Sequence, residues 1–443
     1  MSTSVLDFIP ASEHAGIKAR TSTTDVASYF AAAIADIDSN GGGELYIPAG
    51  RYRCGSPIVL CNQLRVRGDS RHGTLVQFTQ AGTDVASGSG FCSIWPSNAS
   101  NSAYITVSDL AIEMIHASNQ GAAFWDNCGT YITLRDCVFS YGKYGVVFDQ
   151  TEVSGIYTCS FGAQTGAGLW LVTGGDVTPG NLGGFTNQIS VDHNCQFDEG
   201  GTAYAVVDDG GDSHLFGNNN YNGGGLRFAG VGNLTVIGGE YEAVNPRPTM
   251  TFSHLTLAGD GVGRCGFVTV MNAMIVQPGA FPCMVIFSGG SFIFLNNTLN
   301  CRHSGVAACI EGVTNASSVF ARHNVNYASA VPLFNDVASG PHDIGVMAVL
   351  STAATAYALT PSATNALLQT TSGSPVAIAV PTHATIGYSI GTRVLIEQNG
   401  AGAVTVAGAA GVTLNGTLTT TAQYQRRELI KTATNRWLVT RQS

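Results

Sequence analysis

Three short segments set polar and acidic residues on either side of an aromatic at a steady interval: Gln196-Phe197-Asp198, Asn220-Tyr221-Asn222 and Glu240-Tyr241-Glu242. Two carboxyl groups can cleave a glycosidic bond between them. With about 6.5–9.5 Å between them, one protonates the leaving oxygen while the other activates a water; at about 5–5.5 Å the second attacks directly. Each segment ends a β-like run, and in a strand successive side chains point to opposite faces. The aromatic can therefore be buried while both neighbours face solvent. Recurrence at roughly twenty residues is the interval of coils stacked in a solenoid. Aligning the aromatics puts Asp198, Asn222 and Glu242 in one column and Gln196, Asn220 and Glu240 in the next. With coils about 4.8 Å apart, Asp198 and Glu242 stand about 9–10 Å apart at the backbone, and Glu240 and Glu242 about 6.5–7 Å. The spacing leans toward inverting hydrolysis, with Glu242 as the expected general acid and Asp198 or Glu240 as the base.

Other residues could assist. Aromatic faces cover the apolar face of a sugar ring, so Trp125 and Trp170 are candidate platforms, whereas Trp437 in the last strand reads as core. Asn222, Arg247 and Asp209 are candidate substrate contacts. Asp209 belongs to the run Asp208-Asp209-Gly210-Gly211-Asp212, placed beside Glu199; it reads as a turn stabilised by its Asp side chains rather than as a cation site, and it lacks the Glu that completes an EF-hand-like loop. A lyase would instead pair a base with a cation beside a uronate. His193, His214 and His254 with Arg227, Arg247 and Arg264 fit that chemistry, but no concentrated cationic patch is visible, so it ranks second. There is no phosphate-binding glycine loop, no Ser-His-Asp order, and no CxxC, CxxH or HExxH spacing, so neither a cofactor nor a metal is expected.

These groups need a rigid frame. The chain has 443 residues, 44% of them hydrophobic and only 11% charged, with 55 Gly and 14 Pro. That is the composition of an ordered, turn-rich β protein, too long for one compact core. A net charge of −9 with no basic run argues against nucleic acid as a partner. No stretch reaches the length of a membrane-spanning helix, and the start lacks a basic segment followed by an apolar one, so neither membrane insertion nor a secretory leader is expected. The eleven Cys include Cys137, Cys159, Cys195, Cys265 and Cys301 in apolar runs, where they read as small buried hydrophobes.

Along the chain, Thr24 to Ile37 reads as an amphipathic helix capped by Thr23 or Thr24, with Tyr29, Phe30, Ala33, Ile34 and Ile37 as its apolar stripe. A glycine turn, a short strand and a Pro-Ala-Gly corner follow through Tyr52. Residues 1–57 thus form an expected cap over the open end of the coil. Residues 58–347 alternate apolar strands with Gly, Asn, Asp and Ser turns, with rungs beginning near Tyr104, Tyr131, Ile156, Ile189, His214, Leu234, Phe267, Phe292 and Val319. This reads as the parallel β-helix. Residues 348–366, rich in Ala, Ser and Thr, read as a connector. Residues 367–443 read as a small β-sandwich, with Asn399-Gly400-Ala401-Gly402 as a hairpin turn.

The helix followed by Gly41 to Tyr52 resembles the entry to the pectate-lyase-like right-handed β-helix shared by polysaccharide lyases, some glycosidases and bacteriophage tailspikes. Gln398 to Gly402 through Arg436 to Val439 looks like the carboxy-terminal module of phage tail fibres and tailspikes, and Ile237 to Glu242 looks like a recurring rung in these proteins. The matches bracket nearly the whole chain and together resemble a tailspike depolymerase. The resemblance implies a homotrimer on the virion, attached through the phage tail or an adaptor protein, that binds and cleaves a capsular or O-antigen polysaccharide of the bacterial surface. Family members often begin with a virion-attachment domain, whereas here the cap helix begins almost at once; either such a domain was removed or the spike docks through a partner. Besides hydrolase and lyase, a non-catalytic glycan-binding adhesin fits the resemblance.

Overall fold

The computed structural model describes residues 2–94, 104–172, 186–199, 203–243, 247–257, 261–264, 266–287, 289–302, 306, 308–312, 316–326, 342–343, 348–360, 363, 366–388 and 390–442, without the side chains of 94, 253–257, 261–264, 289, 317, 326, 342–343, 348–349 and 442. The chain forms two compact units, the first comprising Met1–Gly290, Asn296–Glu311 and Val325–Leu333.

The first unit is a right-handed parallel β-helix. Each coil lays one strand in each of three sheets. The coil around the first triplet runs Asn187–Asp192 in sheet 1, Gln196–Asp198 in sheet 2 and Tyr204–Asp208 in sheet 3. The next runs His214–Gly217, Asn220–Asn222 and Gly225–Ala229. Strands of the following coil are Asn233–Ile237, Glu240–Glu242 and Met250–Leu257. The rung starts expected from Tyr104 to Phe267 each lie in or within two residues of a sheet 1 strand, and those at Phe292 and Val319 fall in the strands Gly289–Leu295 and Ala316–Arg322.

Two devices keep the coils in register. Inside, Phe139, Phe161, Phe197, Tyr221 and Tyr241 stack ring on ring, with centroids 5.1, 4.4, 4.6 and 4.7 Å apart. A one-residue slip would turn each ring out to solvent, so burial of this column specifies the pairing. At the corner from sheet 1 to sheet 2 the backbone turns through a left-handed conformation in coil after coil, at Asp109, Asp136, Thr158, Asn194, Asn218, Gly238, Asn272 and Asn296, with His193 and Gly239 joining their neighbours in it. Asn, Asp and Gly reach this conformation most readily, which is why the turns are rich in them. Asn219 and Asn297 lie just inside that corner, and each ties its own coil to the preceding one. The Asn219 side chain accepts from the Cys195 backbone N–H and donates to the Val191 carbonyl, at 3.1 and 2.8 Å. Cys137, Cys159 and Cys195 are buried thiols stacked in the same corner, as expected, with Cys301 buried elsewhere; Cys265 lies outside the described residues.

The cap differs in detail. The helix spans Ala27–Ser39, and neither Thr23 nor Thr24 caps it; the Asp25 carboxylate accepts from the Ala27 and Gly55 N–H groups at 3.0 and 2.9 Å, tying the helix start to the first coil. Phe30 meets Tyr52 and Phe91 edge-on and plugs the interior. A second helix, Ala11–Lys18, was not anticipated; it buries only Ile17, so its sequence shows little apolar stripe.

The second unit holds the carboxy-terminal strands. A six-stranded and a three-stranded sheet enclose a core containing Leu368, Ile378, Val394, Ile396, Val406, Leu429 and Trp437. Trp437 is core, as expected, packed edge-on to Tyr388. Two expectations fail. The supposed connector contributes the strands Ala348–Thr352 and Ala356–Ala358. The Asn399–Gly402 turn is not a hairpin: Arg393–Gln398 belongs to one sheet and Val404–Gly408 to the other. Its N–H groups bond to Thr370 and Ser372 carbonyls of the preceding turn, so it is a corner stacked on a corner.

Candidate functional site

The expected columns form. Asp198 pairs with Asn222 and Asn222 with Glu242, while Gln196, Asn220 and Glu240 align beside them on sheet 2. The buried rings of Phe197, Tyr221 and Tyr241 hold these strands, and Asp198, Asn222 and Glu240 are exposed with Glu242 half-buried. Among the described residues, the carboxylates of Asp198, Glu240 and Glu242 make no hydrogen bond or ion pair. They are available to a ligand. By register Asp198 and Glu242 are two coils apart, about 9–10 Å at the backbone, and Glu240 and Glu242 about 6.5–7 Å.

The acidic column ends at a corner, and a second group begins beyond it. Asn222 is joined to the sheet 3 strand Gly225–Ala229 by Gly223 and Gly224 alone. Three residues span at most about 10–11 Å, so the start of sheet 3 lies within one sugar unit or two of the column. There Tyr144, Ala167, Tyr204 and Gly225 align in successive coils. Small residues alternate with tyrosines, and long side chains lie across the gaps. Tyr144 packs on Trp170 at 4.8 Å, and the Arg247 guanidinium lies 3.9 Å from the Tyr204 ring centroid. A Cβ on Gly225 would stand 2.9 Å from Arg247 Cδ, so the glycine makes room for that arginine.

Asp209 organises this cluster. One carboxylate oxygen accepts from Trp170 Nε1 at 2.8 Å and the other from Arg227. The carboxylate is 7% exposed on its side chain, against 40% for Arg227. Asp209 therefore fixes the platform and the arginine rather than contacting substrate itself, a correction to its expected role. Burial pushes the Tyr144 hydroxyl up to about 12, and the Asp209 charge adds to the effect.

Trp125 is also corrected. It occupies the same outward column as Trp170, in the order Cys92, Trp125, Val147, Trp170. It is 3% exposed, in a cluster with Val85, Cys92 and Val147, so it offers no face to a sugar. Trp170 and Arg247 are half-buried and Asn222 is exposed, so all three reach the surface. Tyr144, Tyr204 and Lys143 were missed; each lies at or near the start of a sheet 3 strand, the one positional signal that could have found them.

The remaining titratable candidates separate. His214 is fully buried inside the coil, with Nδ1 at 2.7 Å from Asp208 and Nε2 at 2.8 Å from the Thr186 carbonyl. Burial works to lower its pKa, but the charge and hydrogen bond of Asp208, with the Thr186 carbonyl, outweigh this and raise it. It cannot serve as a base on an outer surface. His193 is an exposed corner residue beside Asp192. The side chains of His254 and Arg264 lie outside the described residues. Asp208 also accepts from the Gly210 N–H, so the acidic run is a turn, as expected. Glu199 is not beside it: it is buried at the opposite end of the sheet 3 strand, next to Asp198, and burial pushes its carboxyl up to about 8. Among the described residues no group of three or more His, Cys, Asp or Glu could hold a metal ion.

No protein-family model matches the chain, and no curated protein matches it in sequence. Solved structures do resemble it. The A-module of the Azotobacter vinelandii mannuronan C-5 epimerase AlgE6 superposes with a TM-score of 0.53 at 15% identity, over 92% of this chain and 99% of that one. A DFA-IIIase variant from Arthrobacter chlorophenolicus A6, in complex with DFA-III, gives 0.51 at 14% identity, over 84% and 95%. PfbA, a surface adhesin of Streptococcus pneumoniae, gives 0.50 at 11% identity, over 100% and 98%. At these identities the likeness establishes the fold.

Proposed function

We propose that this protein is a phage tailspike depolymerase that binds a capsular or O-antigen polysaccharide and hydrolyses its glycosidic bonds, with inversion. The observation that carries the reading is the register of sheet 2: it brings Asp198 into one solvent-facing strip with Glu240 and Glu242 from two coils further on, none of the three paired among the described residues, beside an anchored aromatic cluster. Glu242 protonates the leaving oxygen, and Asp198 or Glu240 activates water from the other side of the bond. Trp170 and Tyr204 present ring faces to neighbouring sugars. Assembly as a homotrimer, attachment through the tail or an adaptor and residence on the virion belong to the same proposal, and rest on the resemblance of the two ends of the chain. The enzymes among the similar structures, an epimerase and a DFA-IIIase, are compatible with carbohydrate chemistry on this fold. The adhesin is compatible with binding alone.

A lyase gains one specific observation, the cations near Tyr144 and Tyr204, and loses the buried His214 as its base. Product chemistry separates the readings. The protein is incubated with purified host polysaccharide and the products are analysed by mass spectrometry and ultraviolet absorbance. Hydrolysis gives oligosaccharides one water heavier per cut, with new reducing ends and no unsaturated sugar. An unsaturated product overturns it in favour of elimination; full-length polysaccharide that stays bound overturns it in favour of an adhesin.

A further inference from the structure

Lys143, Arg227 and Arg247 are scattered over more than a hundred positions, yet the coil brings them to one place. The contacts form an unbroken chain. Lys143 Nζ lies 5.3 Å from the Tyr144 ring, Tyr144 packs on Trp170, and Trp170 and Arg227 share Asp209. Arg227 and Arg247 then approach the same Tyr204 ring, at 5.9 and 3.9 Å. Among the described residues of this cluster Asp209 is the one carboxylate, and it is buried. The Lys143 ammonium makes no hydrogen bond or ion pair among the described residues, and Arg227 Nε, a buried atom, likewise has no hydrogen-bond partner there. The whole chain carries −9, so this patch stands against the prevailing sign. A local cationic site on an acidic protein concentrates anions where they bind and repels them elsewhere.

We infer that the cluster is a subsite for an acidic sugar, one bearing a carboxylate, whose charged group is held by Arg227 and Lys143 while its ring lies on the aromatic faces beside them. Arginine's planar fork matches a carboxylate through paired N–H donors, and Asp209 holds that fork in place. Arg247, stacked on Tyr204, adds positive charge at the edge nearer the acidic column. The arrangement also has a functional logic. Asp198, Glu240 and Glu242 repel an anionic chain, and a cationic subsite across the corner offsets that repulsion and fixes which residue of the polymer sits at the carboxylates. The inference rests on the proposed reading of the protein as polysaccharide-active and supplies its substrate class.

The test uses the full-length protein on a glycan array of acidic and neutral bacterial polysaccharides, each acidic one also spotted after reduction of its carboxylates to alcohols. Retention of uronate-containing glycans, lost on carboxyl reduction and weakened by added salt, is expected. Lys143→Gln breaks no ion pair, and it should weaken retention about tenfold without moving the melting temperature. Arg227→Gln should weaken it further, with partial recovery in Arg227→Lys. Retention of neutral glycans only, no retention at all, or retention of acidic ones that survives carboxyl reduction or is unchanged in Lys143→Gln and Arg227→Gln overturns the inference. Cleavage is read separately. A protein that cuts a neutral polysaccharide sinks this inference and leaves hydrolysis standing; one that retains uronate glycans through Arg227 but cuts nothing does the reverse.

Discussion

Replacing Glu199 by Gln should flatten the protein's stability between pH 5 and pH 8. Glu199 follows Asp198 into the corner between sheets 2 and 3 and is fully buried. One carboxyl oxygen accepts from the Gln164 N–H at 3.0 Å; the other has no hydrogen-bond partner among the described residues. Burial, with the neighbouring Asp198 charge adding to it, raises the pKa from 4.5 to about 8. The folded protein therefore keeps a proton that the unfolded chain releases. The sign follows: stability is complete below about pH 4.5 and drains away as pH rises toward 8. Each pH unit inside that window costs about 1.4 kcal/mol, so the interval from 4.5 to about 8 amounts to roughly 4–5 kcal/mol as an upper figure. Glutamine has the same shape and no proton to lose. Urea unfolding of both proteins at pH 5, 6, 7 and 8 should show the variant gaining on the wild type by about 1 kcal/mol per unit. Profiles that run parallel across this range would refute the buried, protonated Glu199.

Three further outcomes test the frame. Phe197→Ala removes the middle of the ring stack and should cost about 3–5 kcal/mol by urea unfolding. Asp208→Asn and His214→Gln each leave half of a buried pair and should each destabilise by about 3–5 kcal/mol, with the double variant far short of the sum in a double-mutant cycle. Gly400→Ala should lower the melting temperature of the carboxy-terminal unit, because its Cβ would stand 2.1 Å from the Ser372 carbonyl oxygen.

The coil was legible because its rule is local and repeated. An aromatic between two polar residues fixes which face is buried, and an Asn, Asp or Gly marks the left-handed corner. Those two signals sufficed to align Asp198 with Glu242 across two coils. The aromatic and cationic cluster obeys no such spacing. The corner from sheet 2 to sheet 3 is two residues long after Asn222 but longer after Asp198 and Glu242, so Tyr204, Gly225 and Arg247 converge from unequal distances. Trp125 and Trp170 occupy one column and one face; the first is buried in a cluster that includes Val85, and the second is half-buried against the same cluster. Coverage of that kind is tertiary and leaves no mark on the residue itself. The Asn399–Gly402 turn failed for a different reason. The same small residues suit a hairpin and a corner between two sheets, and only the partners of the flanking strands separate the two.

The claim on which the rest depends is that the in-register carboxylate column performs the cleavage. Glu242→Gln measures it most directly, with turnover and binding followed separately on the polysaccharide that the wild type shortens. The account predicts turnover lower by about 10²–10⁴-fold, the usual worth of a general acid, with affinity for the intact polymer preserved. Wild-type turnover in Glu242→Gln would contradict it.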